Sequence, residues 1–150
     1  MDFISKIIEN AKKHYKTIVL PEGTEERTIL AADYIVKEKI ADIILLGNPK
    51  VIKSKADELL VKHIQSARII DPENNPDKEK YIDLMVKLRS HKGLTRDEAA
   101  RHVENPLYLA TLMIKNGEAD GEVAGAENST GNVLKPAFQL VKTAPGISIV

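Results

Sequence analysis

The chain has 150 residues, 43% apolar and 29% charged, enough for one domain that buries about 70% of its unfolded surface. That composition excludes disorder, and 22 basic residues set against 22 acidic ones leave no bulk field to attract nucleic acid or an anionic membrane. Cysteine is absent, which excludes disulfides, thiol nucleophiles and cysteine metal sites and fits a cytoplasmic protein.

Phe3, Ile4, Ile7, Ile8 and Ala11 recur at helical spacing, so a first amphipathic helix is expected to end near His14. The charges within this pattern rule out a signal peptide, and no apolar run approaches the roughly 20 residues of a membrane helix. Residues 16–20 read as a short buried strand stopped by Pro21 and Gly23. Thr24 is the expected N-cap of a second helix, with Glu25 and Glu26 in its first turn and Ile29, Ala32, Val36 and Ile40 on one face. A second strand is expected over 42–46, a helix over 51–61 and a third strand over 67–70. A polar loop over 71–77 leads to a helix over 78–90.

Thr95 and Glu98 form a capping-box pattern that opens a short helix running to about Val103. Asn105-Pro106 opens the next, with Leu107, Ala110 and Ile114 facing the core and Gly117 as its stop. A fourth strand is expected over 120–126, and a last helix starts near Ser129 and either begins close to Pro136 or bends there. A final apolar run over 147–150 reads as the start of another strand. Short, continuously apolar strands alternating with helices predict an α/β fold with a mostly parallel sheet covered on both faces.

Three segments could carry chemistry. The first is Glu127-Asn-Ser-Thr-Gly-Asn132, after the fourth strand, where open α/β sheets bind ligands. Ser129 and Thr130 could donate to phosphate oxygens and Lys135 could add charge one turn later; the alternative is an ordinary helix cap. The second gathers Lys87, Arg89, His91 and Lys92 before Gly93, either an anion grip with Arg89 as the fork or a solvated helix end. The third, Pro21-Glu-Gly-Thr-Glu-Glu-Arg27, could line the same crevice or form a turn and cap. There is no P-loop and no Gly-x-Gly-x-x-Gly. Histidines 14, 63, 91 and 102 show no metal-ligand spacing, so no metal site is expected.

Residues 19–27 (Val-Leu-Pro-Glu-Gly-Thr-Glu-Glu-Arg), 89–99 (Arg-Ser-His-Lys-Gly-Leu-Thr-Arg-Asp-Glu-Ala), 104–108 (Glu-Asn-Pro-Leu-Tyr) and 117–126 (Gly-Glu-Ala-Asp-Gly-Glu-Val-Ala-Gly-Ala) together resemble the phosphate acetyltransferases. The most specific match is 128–137, Asn-Ser-Thr-Gly-Asn-Val-Leu-Lys-Pro-Ala, continuing to Lys142-Thr-Ala-Pro-Gly146. Phosphate butyryltransferases share the Ala-Asp-Gly strand and differ after it. The resemblance implies reversible acetyl transfer between acetyl-CoA and phosphate. It also implies a three-layer α/β/α domain like those of isocitrate and isopropylmalate dehydrogenases, usually in a homodimer.

Coenzyme A, acetyl phosphate and inorganic phosphate would be its partners, with coenzyme A a substrate and no separate cofactor. Members of the family are about twice this length. On that basis residues 1–146 are expected to form the first domain and 147–150 to begin the second. The family's catalytic serine, arginine and aspartate belong to the later half, so no catalytic residue is assigned here. Binding residues carry over: Arg89, Ser129, Thr130 and Lys135, the last standing where the family more often has arginine. The alternatives are a non-catalytic domain that binds acyl-CoA or acetyl phosphate, and a phosphate butyryltransferase.

Overall fold

The computed structural model describes residues 2–148. Four strands, β1 (Thr17–Leu20), β2 (Asp42–Leu46), β3 (Arg68–Ile70) and β4 (Gly121–Glu122), pair in parallel in the order β3-β2-β1-β4. Val19 is level with Ile44 on one side and Glu122 on the other. The helices are α1 (Phe3–Lys13), α2 (Glu26–Lys37), α3 (Pro49–Glu58), α4 (Lys78–Arg89), α5 (Arg96–Val103), α6 (Pro106–Lys115) and α7 (Thr130–Pro136).

Both faces of the sheet are covered, which is why its central strands run continuously apolar after their first residues, from Ile18 to Leu20 and from Ile43 to Leu46. Val19, Ile44 and Leu46 point into a core with Tyr81 and Met85 of α4, Val103 of α5 and Leu109 and Leu112 of α6. Their neighbours Leu20, Ile43 and Leu45 point the other way, onto Ile29 and Ala32 of α2 and Ile52 and Ala56 of α3. The expected three layers are therefore present. The buried Asp33 carboxylate ties α2 to the turn before β3, accepting the N–H groups of His63 (2.5 Å) and Ile64 (2.9 Å). Helix α1 matches its expected span but buries none of its residues, and Phe3, Ile4 and Ile7 stay exposed.

Local departures from expectation have local causes. Glu25 caps α2 in place of Thr24: its carboxylate accepts Thr28 N–H at 2.9 Å, while the Thr24 carbonyl takes Lys55 Nζ at 2.7 Å. Helix α3 starts two residues early, because Asn48 caps Lys50 N–H and Pro49 occupies the first turn. A 3-10 turn, Ile64–Ser66, precedes β3. Strand β4 is two residues long where seven were expected: Val123 N–H still reaches the Val19 carbonyl, but the backbone then turns away at Gly125 (φ +111°).

At Pro136, which has no N–H to donate, the helix widens into a π-turn, Ala137–Val141. In the run 147–150, Ile147 and Ser148 carry no regular structure, and Ile149 and Val150 lie outside the described residues.

Candidate functional site

Strand β1 has β2 on one side and β4 on the other, so the connections leaving β1 and β4 diverge from a common point at the carboxyl end of the sheet. That is where open α/β sheets form their crevices. A buried glutamate, Glu22, and a half-buried one, Glu122, come together there.

Glu22 follows β1 and is 4% exposed. Its carboxylate accepts the backbone N–H groups of Gly125 (2.9 Å), Ala126 (2.7 Å), Glu127 (3.1 Å) and Asn128 (2.9 Å), and the Asn128 side-chain amide (2.9 Å). Burial alone would raise its pKa. The hydrogen bonds from the Asn128 amide and the loop backbone outweigh burial and hold the pKa down to about 2. Two further contacts brace this junction. Arg27 Nη2 donates to the Ala126 carbonyl at 2.5 Å, and Gly23 N–H donates to the Leu46 carbonyl at 3.0 Å. A β-carbon at Gly23 would stand 2.5 Å from that carbonyl oxygen, so only glycine fits.

The first half of the expected anion turn is thus filled by the protein's own carboxylate. In the second half, Ser129 Oγ accepts Asn132 N–H at 3.3 Å and caps α7, while Ser129 and Thr130 remain exposed.

Glu122, at the end of β4, is buried differently. Its Oε1 has no partner among the described residues, and its Oε2 lies 3.2 Å from Thr111 Oγ1. Burial raises its pKa to about 7; the Thr111 contact opposes the rise and the charge of Glu22 adds to it. Thr111 has one hydroxyl hydrogen, and the Leu107 carbonyl sits closer, at 2.8 Å. A neutral Glu122 carboxyl can therefore donate to Thr111 Oγ1 while Thr111 donates to Leu107, and the chain of bonds closes.

Beside the β4–α7 loop lies a polar pocket of about 270 Å3 lined by His102, Asn105, Leu107, Tyr108, Asn128, Asn132 and Lys135. The His102 ring lies on that of Tyr108, with centroids 4.4 Å apart. Burial lowers the His102 pKa, and the charges of Lys135, Arg101 and Arg89 lower it further against the pull of Glu98. Burial raises the pKa of Tyr108, and the charge of Arg89, at the end of α4, opposes that rise. Of the four expected binding residues, Lys135 lines this pocket, and Arg89 acts through its charge on His102 and Tyr108 without lining it. Ser129 and Thr130 lie just before it on the same helix start.

Lys87, His91 and Lys92 of the basic cluster are exposed around the left-handed Gly93 (φ +77°). Sequence reasoning placed Asn132 in its first candidate segment but did not single out His102, Glu122 or the role of Glu22. Of these three, Glu22 carried a signal, as part of a turn that could line the crevice.

On the α2 side of the sheet, a larger apolar groove of about 580 Å3 runs between α1, α2 and the edge of β4, past Ala11, Ile18, Ile35 and Val123. Among the described residues, no group of three or more His, Asp or Glu is placed to share a metal ion, and no helix is long and apolar enough to cross a membrane.

The model of a family described as phosphate acetyl/butaryl transferase matches residues 2–150. The chain is 45% identical over 150 residues to a phosphate acetyltransferase of Clostridium acetobutylicum, covering all of this chain and 45% of that protein. It is 47% identical to one from Acetivibrio thermocellus, covering 44% of it. Among solved structures, a phosphotransacetylase from Streptococcus pyogenes superposes with a TM-score of 0.92 at 32% identity, covering 99% of this chain and 46% of that one. EutD phosphotransacetylase from Staphylococcus aureus gives 0.90 at 31%, with 99% and 46% covered. The chain spans a little under half the length of these relatives.

Proposed function

The chain belongs to the phosphate acetyl/butaryl transferase family, and from that premise we propose that it forms the first α/β domain of a phosphate acetyltransferase. The reaction is reversible transfer of an acetyl group between coenzyme A and phosphate. Relatives named as phosphate acetyltransferases favour acetyl over butyryl. In this reading the chain supplies one wall of the substrate cleft and holds anionic groups, while the bond-making residues lie elsewhere. Coenzyme A is a substrate, and no separate cofactor is invoked.

The observation that carries the proposal is the polar pocket beside the β4–α7 loop, which Lys135 lines and whose His102 and Tyr108 feel the charge of Arg89. Two cations from distant parts of the chain, with the free amide of Asn132 between the loop and Lys135, suit a phosphate group. Ser129 and Thr130, exposed at the start of α7, are the adjacent hydroxyl donors. Calorimetric titration of the chain with coenzyme A tests this. Lys135→Ala and Arg89→Ala should each weaken binding about tenfold, the worth of one hydrogen bond to a charged group. Lys135→Arg should retain binding, because the charge persists and a fork is gained. Unchanged affinity in both alanine variants would overturn the assignment.

The working protein is further proposed to be a cytoplasmic homodimer. The cysteine-free composition suits a reducing compartment. The uncovered apolar residues of α1 and α2 (Phe3, Ile4, Ile7, Leu30 and Tyr34) suit burial against another surface. Sedimentation of the chain and of its Ile7→Glu variant would check the second statement.

A further inference from the structure

His102 takes no part in the roles assigned so far. It sits on α5, in the wall of the polar pocket that Lys135 also lines, with its ring on Tyr108. Among the described residues, neither ring nitrogen has a hydrogen-bond partner. The charged groups that face it are Glu98 and Arg101 on its own helix, Arg89 from α4 and Lys135 from α7; the titratable neighbour on α6 is Tyr108. Three cations thus stand against one carboxylate. That carboxylate is already committed: Glu98 accepts Thr95 N–H at 2.8 Å and the Thr95 hydroxyl at 2.9 Å in the capping box of α5. The pocket therefore joins Lys135, the Asn132 amide and an imidazole with unused nitrogens, under the added positive field of Arg89 and Arg101.

We propose that His102 is an anion-binding residue of this pocket, becoming protonated as a phosphate or like dianion seats against Lys135. This rests on the anion-binding reading of the pocket and adds the residue that makes it pH-sensitive. With the pocket empty, burial and the surrounding cations keep the imidazole neutral. A bound dianion reverses the local field, and the imidazolium then donates to it beside the Lys135 ammonium. The sign follows from linkage. The anion raises the pKa of His102, so affinity is greatest below the free-pocket value and declines as pH rises through the bound value.

Sulfate is the suitable probe, since it stays a dianion from pH 5.5 to 8.5 and any pH dependence must come from the protein. Sulfate binding to the chain should tighten about tenfold across that range toward low pH. In parallel, saturating sulfate should move the NMR titration midpoint of the His102 ring up by about one pH unit, the equivalent of a tenfold coupling. His14 and His63 should not move. His102→Gln should flatten the pH dependence while binding at pH 8.5 persists.

Sulfate binding with a pH-independent affinity and an unmoved His102 resonance would overturn the His102 role and leave the pocket's anion reading intact. Absence of sulfate binding at any pH, in wild type and Lys135→Ala alike, would overturn both. The wild-type NMR titration decides the matter even if the glutamine variant folds poorly.

Discussion

The turn leaving β1 and the end of β4 each bury a glutamate, and the two are in opposite states. Glu22 is held near a pKa of about 2 and Glu122 near about 7, although they are close enough for the charge of one to raise the pKa of the other. Burial opposes ionisation at both. Glu22 has five N–H donors around it, four of them backbone groups of one loop, whereas Glu122 has a single hydroxyl that is already engaged. The number of donors decides which carboxyl carries charge, and the charged one becomes a clamp.

The largest expected effect comes from removing the clamp. Glu22→Ala leaves four loop N–H groups without their acceptor and should cost about 3–5 kcal/mol, read from urea unfolding at pH 7. A loss under 1 kcal/mol would mean that the loop finds water as readily as the carboxylate. Protonation should reproduce part of this loss. The contribution of Glu22 is complete above about pH 4.5, its ordinary value, and disappears as pH falls toward about 2.

Glu122 should behave in the opposite sense. The fold keeps its proton up to about pH 7 while the unfolded chain loses it near pH 4.5, so stability falls as pH climbs through that window. Glu122→Gln should therefore gain about 2–3 kcal/mol at pH 8 and change little at pH 4. A variant equally stable or unstable at both pH values would refute the neutral-carboxyl assignment. The smallest change is expected from Thr111→Val, which breaks the chain to Leu107 and should cost about 1 kcal/mol, whereas Thr111→Ser should be nearly neutral. Thermal melts of the pair would resolve it.

The layered α/β architecture was legible because hydrophobic period and turn chemistry agreed over most of the chain. Helix starts were legible where a cap used its neighbour in sequence, as Thr95 does with Glu98. Asn48-Pro49 and Asn105-Pro106 show the limit: the first falls before the helix expected from residue 51 and the second is read as a helix start, and the structure makes the dipeptide a helix start in both places. Glu25 takes the cap of α2 from Thr24 because its longer side chain reaches both the Thr28 N–H and the Thr28 hydroxyl, while the Thr24 carbonyl accepts from a lysine 31 residues away, a contact that no local pattern shows.

Strand β4 was read too long for a similar reason. Its apolar run continues through Ala126, but beyond Val123 the backbone turns to reach Glu22 instead of pairing. In the candidate site, Lys135 and Arg89 were legible through motif resemblance. His102 was not, since an isolated histidine on a short helix acquires meaning only when α6 and α7 are folded against it.

The Glu22 clamp also has a history within each folding event. Its donors lie 103 to 106 residues further along the chain. Strands β1, β2 and β3 follow one another with short crossovers and can assemble from neighbouring segments, but β4 must return across the whole intervening chain to reach β1. The glutamate is thus present from the first turn of assembly as a solvated anion, and it is dehydrated only when the last strand arrives. A ribosome-bound chain shorter than about 120 residues would hold β1, β2, β3 and helices α1 to α6 but not β4 or any of the N–H groups that bury Glu22.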